Sequence, residues 1–304
     1  MEPVRAGERR FETGAIVVRR ASSQLVATLA ADLGLDIEAT NRPVAPESLL
    51  PLHLPRVALY EPWGGNPDAG WTRWVLEQHA LPYTRVRHDD VRDPAFGHRF
   101  DVLILPDAPV PLLLRGLQGP NIMPRHRGGL GDEGAAGLRR FVQGGGTIIT
   151  LGNAAQFAIE QLGVLASNVI GTDDPESFFC PGSLLRVEVD TEHPIGFGMP
   201  RDAAAMFVNN GGYELTQRAG TGIATPVRYA QGPLLLSGWI VGEGRLRGAG
   251  AVLDVPMGRG RIILHTFRVQ NRAQTLGTFK LLFNSILYGP AMAARQTPSP
   301  TQQQ

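Results

Sequence analysis

Apolar positions along this chain follow two rhythms. From Arg56 onward, short unbroken apolar runs alternate with stretches of helical period. Residues 57–60, 101–105 and 147–151 read as strands, the second carrying Val-Leu-Ile-Leu between polar ends as a buried parallel strand does. A further strand is expected at 83–87. Helices are expected at 68–79, at 132–143, where Asp132 caps and Leu138, Phe141 and Val142 turn inward, and at 154–162. Gly144-Gly145-Gly146 ends the second of these. Strands alternating with helices at this spacing predict a doubly wound, mostly parallel sheet.

The pattern differs on either side of that region. Near the N-terminus the sequence predicts a small βα unit. Its strand is 15–18, and its helix is capped by Ser22 or Ser23 and closed by Gly34, with Leu25, Val26, Leu29 and Leu33 on one face. Pro43, Pro46, Pro51 and Pro55 then mark a linker. After Gly163 short strands dominate, at 184–189, 206–208, 226–229 and 234–237. Runs 251–255 and 261–267 flank a turn and predict a hairpin. A last helix is expected over 273–288, with Leu276, Phe279, Leu282, Phe283, Ile286 and Leu287 on its apolar side. The expected organisation is an N-terminal segment and linker over 1–50, an α/β domain over 51–289, and a disordered tail over 290–304.

Composition narrows the function classes. Basic and acidic residues number 29 and 28, and the arginines are scattered, so no electrostatic footprint favours nucleic acid. No apolar run approaches the roughly 18 residues of a spanning helix, and Met1 to Arg10 lacks the apolar core of a signal peptide, so no membrane role is expected. Nothing in the sequence identifies a compartment. Cys180 is the only cysteine, which excludes an internal disulfide and a thiolate metal cluster.

Candidate chemistry is sparse. None of the seven histidines sits in a zinc-peptidase spacing; His98 and Asp101 are three apart, but Asp101 opens a strand. Asp173-Asp174-Pro175-Glu176 is acidic without the spacing of a calcium loop. No metal or cofactor is therefore expected. Cys180 precedes a proline with no histidine near it in sequence, which suits a buried thiol better than a nucleophile, although a cysteine amidohydrolase is the enzyme it would imply. His193 follows Glu192, a residue able to orient it. The turn at Gly152-Asn153 has the position of a nucleophile elbow, but Asn153 supplies no nucleophile.

Two loops at strand ends are the candidate binding segments. After the first strand come Glu61, Trp63, Asn66, Asp68 and Arg73. Gly64-Gly65-Asn66 before a helix can present N–H groups to an anion, or simply start the helix with Asn66 or Asp68 as cap and Trp71 and Trp74 packed inward. After the strand 261–267 come Arg268, Gln270 and Arg272, equally suited to binding a carboxylate and to tying down loops. With Asn153 these residues form the candidate ligand set for a small-molecule pocket centred on 61–73.

Several longer stretches are similar to a known module. They are Glu61-Pro62-Trp63 with Gly70-Trp71-Thr72-Arg73-Trp74-Val75-Leu76-Glu77, and Gly128-Gly129-Leu130-Gly131-Asp132-Glu133-Gly134. With them go Cys180-Pro181-Gly182-Ser183 through Asp190 and His193-Pro194, and Phe267-Arg268 through Asn284. Over about residues 10–289 the chain resembles the C-terminal module of bacterial zinc carboxypeptidases of the carboxypeptidase A-like kind. The resemblance implies a flavodoxin-like, class I glutamine amidotransferase-like fold, to which the hairpin read at 251–267 is an addition. It also implies a partner, the zinc carboxypeptidase domain, in cis or from an adjacent reading frame. Active amidotransferases place a Cys at the elbow and a His-x-Glu pair later; this chain has neither. The expectation is a non-catalytic accessory module for binding or assembly.

Overall fold

The computed structural model describes residues 4–6, 9–41, 44–45, 49–171, 176–216 and 222–295. The chain divides into two units, Met1–Pro51 and Leu52–Gln304. Pro43, Pro46, the acidic residues Asp173 and Asp174, and the tail from 296 lie outside the described residues.

In the first unit, strands β1 (Val4–Ala6) and β2 (Arg9–Phe11) form an antiparallel hairpin. Helix α1 (Ser23–Leu33) follows. The Ser22 side chain accepts the Leu25 N–H at its start, and Gly34, in the left-handed region at φ +62°, closes it. The strand expected at 15–18 is absent. An extended run becomes a strand only beside a partner backbone, and here the pairing lies upstream, between β1 and β2.

In the second unit, five strands run parallel: β3 (Val57–Tyr60), β4 (Tyr83–Val86), β5 (Val102–Leu105), β6 (Thr147–Leu151) and β14 (Gly260–His265). Their order across the sheet is β4-β3-β5-β6-β14. In chain order this is 2-1-3-4-5, the flavodoxin-like arrangement. Every position of β3, β5 and β6 is buried, because helices cover both faces. Alternate residues serve the two cores. Val57 and Leu59 pack with Leu76 of α2 (Pro67–Gln78) and with Leu281, Leu282 and Ile286 of α8 (Leu276–Arg295). Ala58 and Tyr60 belong to the other core. There the sheet meets Val91 of α3 (His88–Arg92), Phe96 of α4 (Phe96–Arg99) and Leu113 of α5 (Val110–Arg115). Leu138 and Phe141 of α6 (Gly131–Gln143) and Phe157 of α7 (Ala154–Leu162) complete it.

The sheet then continues as an antiparallel extension. Strand β13 (Gly250–Met257) forms the expected hairpin with β14. Beyond it lie β11 (Ala224–Tyr229), β8 (Ser183–Val189) and β12 (Leu235–Ser237), with β9 (Asp202–Phe207) also on β8. Short strands β7 (Ala166–Asn168) and β10 (Tyr213–Leu215) pair with each other, and β10 touches β13. The extension is thus larger than one hairpin.

Several local expectations change. The loop before Gly131 contains α5, whose start Val110-Pro111 suits a proline in the first turn. Helix α6 begins at Gly131, with Asp132 inside its first turn rather than capping it. Helix α8 starts at Leu276 and runs to Arg295, past the expected end, and Leu276 is 73% exposed. Trp71 and Trp74 face outward at 39% and 46% exposure; Asp68, Ala69, Thr72, Val75 and Leu76 form the buried face of α2 instead.

Candidate functional site

Strand order reverses between β3 and β5, and the edge beyond their carboxyl ends is the crevice position where ligands usually bind in such sheets. Four segments end there: Asn66-Pro67-Asp68 after β3, Pro106-Asp107 after β5, Gly152-Asn153 after β6, and Arg268 after β14.

Asp107 is the hub. One carboxylate oxygen accepts the Asn153 backbone N–H at 2.6 Å, and the other meets the Arg268 guanidinium at 2.8 Å. The Asp107 carbonyl accepts the Asn66 side-chain amide at 2.9 Å, while the Asn66 side-chain oxygen accepts the Ala69 N–H and caps α2. Arg268 also approaches Asp68 at 3.7 Å. Burial raises the Asp68 carboxyl above its ordinary range; Arg268 opposes that shift and neighbouring Asp107 adds to it. Behind Asp68, its carbonyl accepts the Thr72 hydroxyl, and Thr72 in turn accepts the Gln270 amide at 3.0 Å.

Of the elbow pair, Gly152 takes the left-handed conformation at φ +56°, while Asn153, the residue the sequence placed at the nucleophile position, stands at the start of α7 with ordinary helical backbone at φ −68°. A Cβ built on Gly152 falls 2.1 Å from the Asp107 carboxylate and 2.9 Å from the Asn210 amide nitrogen. A side chain at this position is thus excluded twice, by backbone conformation and by the carboxylate that fills its space.

The crevice brings together Asn66, Asp68, Asn153, Arg268 and Gln270. Glu61 and Trp63 form a neighbouring cluster. The Glu61 carboxylate lies 3.6 Å from Arg87 and 3.7 Å from Arg85, and the Trp63 ring has the Arg87 guanidinium at 4.4 Å and stacks on His126 at 4.1 Å. Arg73 lies elsewhere, donating to the Tyr83 hydroxyl at 3.1 Å on the outermost parallel strand. Arg272, in the left-handed region at φ +49°, reaches the crevice only as a charge felt by Asp68.

Among the described residues, the buried polar atoms with no hydrogen-bond partner include Tyr60 Oη, Glu61 Oε2, Trp63 Nε1, Arg268 Nε, Gln270 Oε1 and Asn210 Nδ2 around this edge, and others such as Arg261 Nη1 and Thr147 Oγ1 away from it. Sequence reasoning missed Asp107, Asn210 and Thr72. Asp107 was legible, since it follows a buried parallel strand just as Glu61 does; Asn210 comes from the antiparallel extension and left no local signal.

Other sequence candidates resolve differently. Cys180 is 1% exposed; burial pushes its thiol up, against a lowering hydrogen bond with Ser183. No hydrogen bond joins it to a histidine among the described residues. Asp101 pairs with Arg56 at 2.7 Å. His193 meets Asp254 at 3.2 Å rather than Glu192, with its Nδ1 accepting the Ile195 N–H. Asp254 is held bidentately by Arg261 at 2.7 and 2.8 Å, so a buried Asp254–Arg261 pair with the half-buried His193 beside it sits at the amino end of β14. Burial pushes the Asp254 carboxyl up, but hydrogen bonds from His193 and Arg261 outweigh it and hold the group below the usual range. Among the described residues no group of three or more His, Cys, Asp and Glu can hold a metal ion, and no helix is long and apolar enough to cross a membrane.

No protein-family model matches the chain, and no curated protein sequence matches it. Solved structures that it is similar to include a ThuA-like protein from Bacteroides uniformis, at 13% identity over 78% of this chain and 90% of that one, with a TM-score of 0.45. A GMP synthase-type protein from Thermoplasma acidophilum matches at 12% identity over 83% and 100%, with a TM-score of 0.47. A GH42 β-galactosidase from G. stearothermophilus matches at 15% identity over 86% of this chain and 32% of that one, with a TM-score of 0.45. The fold itself is fixed by the strand order.

Proposed function

We propose that the chain is a non-catalytic, amidotransferase-like α/β module that serves binding or assembly, of the kind that accompanies zinc carboxypeptidase-like proteins. The observation that carries this is the elbow: Gly152 has no room for a side chain against the Asp107 carboxylate, and Asn153 supplies no nucleophile. The buried, unactivated Cys180 adds support. The carboxypeptidase association comes from the sequence motifs around Trp71, Gly128, Cys180 and Phe267. Calorimetric titration of the purified chain with a carboxypeptidase A-like catalytic domain from a neighbouring reading frame tests it. Stoichiometric binding is expected. Chelator-sensitive release of C-terminal residues from peptides by the chain alone would overturn the reading.

A second reading is favoured by the unpartnered buried atoms at Trp63, Arg268, Gln270 and Asn210, since such groups ordinarily have a partner. On this reading the crevice holds a small polar ligand carrying both donor and acceptor groups. Thermal-shift screening against free amino acids and monosaccharides tests it. A stabilising compound should lose its effect in Arg268→Met, and a shift unchanged in that variant would exclude the crevice.

A further inference from the structure

Helix α1 carries an apolar face that its own unit leaves uncovered. Leu25, Leu29 and Leu33 are 52%, 39% and 63% exposed, and no residue of the helix is buried. Spaced by four, they form one continuous stripe, bordered by the half-buried Val26 and Ala30. The charges around the helix oppose its own dipole. Arg19 and Arg20 precede the Ser22 cap at the positive end, no acidic residue lies in the first turn, and Asp32 sits in the last turn with no basic residue beside it. Asp36 follows, paired with Arg9 at 3.1 Å, and then Glu38, so beside that ion pair the carboxyl end carries two further acidic residues, Asp32 and Glu38.

That arrangement is unfavourable for a lone helix and complementary to an antiparallel copy of itself. We propose that α1 pairs with α1 of a second chain across a two-fold axis at Leu29. The register sets Leu25 against Leu33 of the partner copy, and brings Arg19 and Arg20 toward the other copy's Asp32 and Glu38. A closed two-fold contact uses the same patch on both chains, which this stripe satisfies. Each charged end then meets an opposite charge and an opposite dipole end. Eleven residues bury well under the ~1,200 Å² of a standard interface, so the dimer is weak and salt-sensitive.

Sedimentation equilibrium of the full chain at low salt tests the proposal. The wild type should rise from the 32.8 kDa monomer toward twice that mass with concentration, and should return toward the monomer in high salt. Arg19→Glu/Arg20→Glu and Asp32→Arg/Glu38→Arg, each alone, should weaken association at least about tenfold, by about 1.4 kcal/mol. An equimolar mixture of the two variants should restore it, because opposite charges then meet at both ends. These positions are exposed, so both variants should keep the wild-type circular dichroism spectrum. A wild type monomeric throughout, a dimer indifferent to both charge swaps, or a mixture that fails to recover would each overturn the proposal.

Discussion

Two arginine–carboxylate clusters occupy opposite ends of the same strand, on the order of 20 Å apart. At the amino end of β14, Arg261 and Asp254 are 4% and 1% exposed, and His193 completes the set. Asp254 lies opposite Ile263, two residues from Arg261 on the partner strand, so the pair is a diagonal contact on one sheet face. Beyond the carboxyl end, Arg268 is 24% exposed and divided between Asp107 and Asp68. The chemistry is alike, but the setting differs. The first cluster is sealed and bidentate, as a structural pair must be when desolvation is costly. The second is shared and partly open; each keeps a buried guanidinium nitrogen without a hydrogen-bond partner, Arg261 Nη1 in the first and Arg268 Nε in the second.

The sharpest break in that contrast is Arg261→Leu. It leaves Asp254 buried with only His193 against it, and the expected loss is roughly 3–5 kcal/mol in chemical denaturation. Gly152→Ala comes next. It combines a left-handed backbone with a Cβ 2.1 Å from a carboxylate, and should cost roughly 2–4 kcal/mol while displacing Asp107.

Acid acts at both ends of β14. Fully buried His265, on β14, hydrogen-bonds Ser285 through Nε2, and burial pushes its pKa down to about 3. Its folded pKa lies below the unfolded value, so the unfolded chain binds the extra proton. The stability it supports is whole above about pH 6.5 and is lost as pH falls toward 3, at up to about 1.4 kcal/mol per unit. Asp254, also depressed when folded, loses its contribution on the same acidic side. Asp68 is raised and runs the other way: its charged form is disfavoured by the fold, so acid relieves it. Between pH 6 and pH 4 the chain should lose about 2 kcal/mol through His265, and His265→Leu should flatten that slope.

The smallest expected effect is at the crevice. Arg268→Met should cost about 1–3 kcal/mol, since Asp107 keeps the Asn153 N–H and water can reach the site. A loss equal to that of Arg261→Leu would erase the distinction between the two clusters.

The same physics explains what the sequence disclosed. Strands β3, β5 and β6 were legible because a parallel strand covered on both faces must be apolar throughout. The elbow at Gly152-Asn153 was legible from its place after such a strand. Trp71 and Trp74 were not, because helical period gives a face without saying which residues on its border turn outward. The run 15–18 failed as a strand because pairing is a property of two segments. His193, Asp254 and Arg261 meet only through the β13–β14 hairpin and the turn after β8, so no local spacing announced them. Asp107 went unremarked, although its position after β5 was itself the signal.

The central claim is that the elbow at Gly152-Asn153 holds no nucleophile and that no thiol stands in for one. Ammonia release from L-glutamine by the purified chain, compared with that by Cys180→Ala, tests it most directly. The account predicts that both match the rate without protein. Sustained turnover by the wild type that disappears in Cys180→Ala would contradict it.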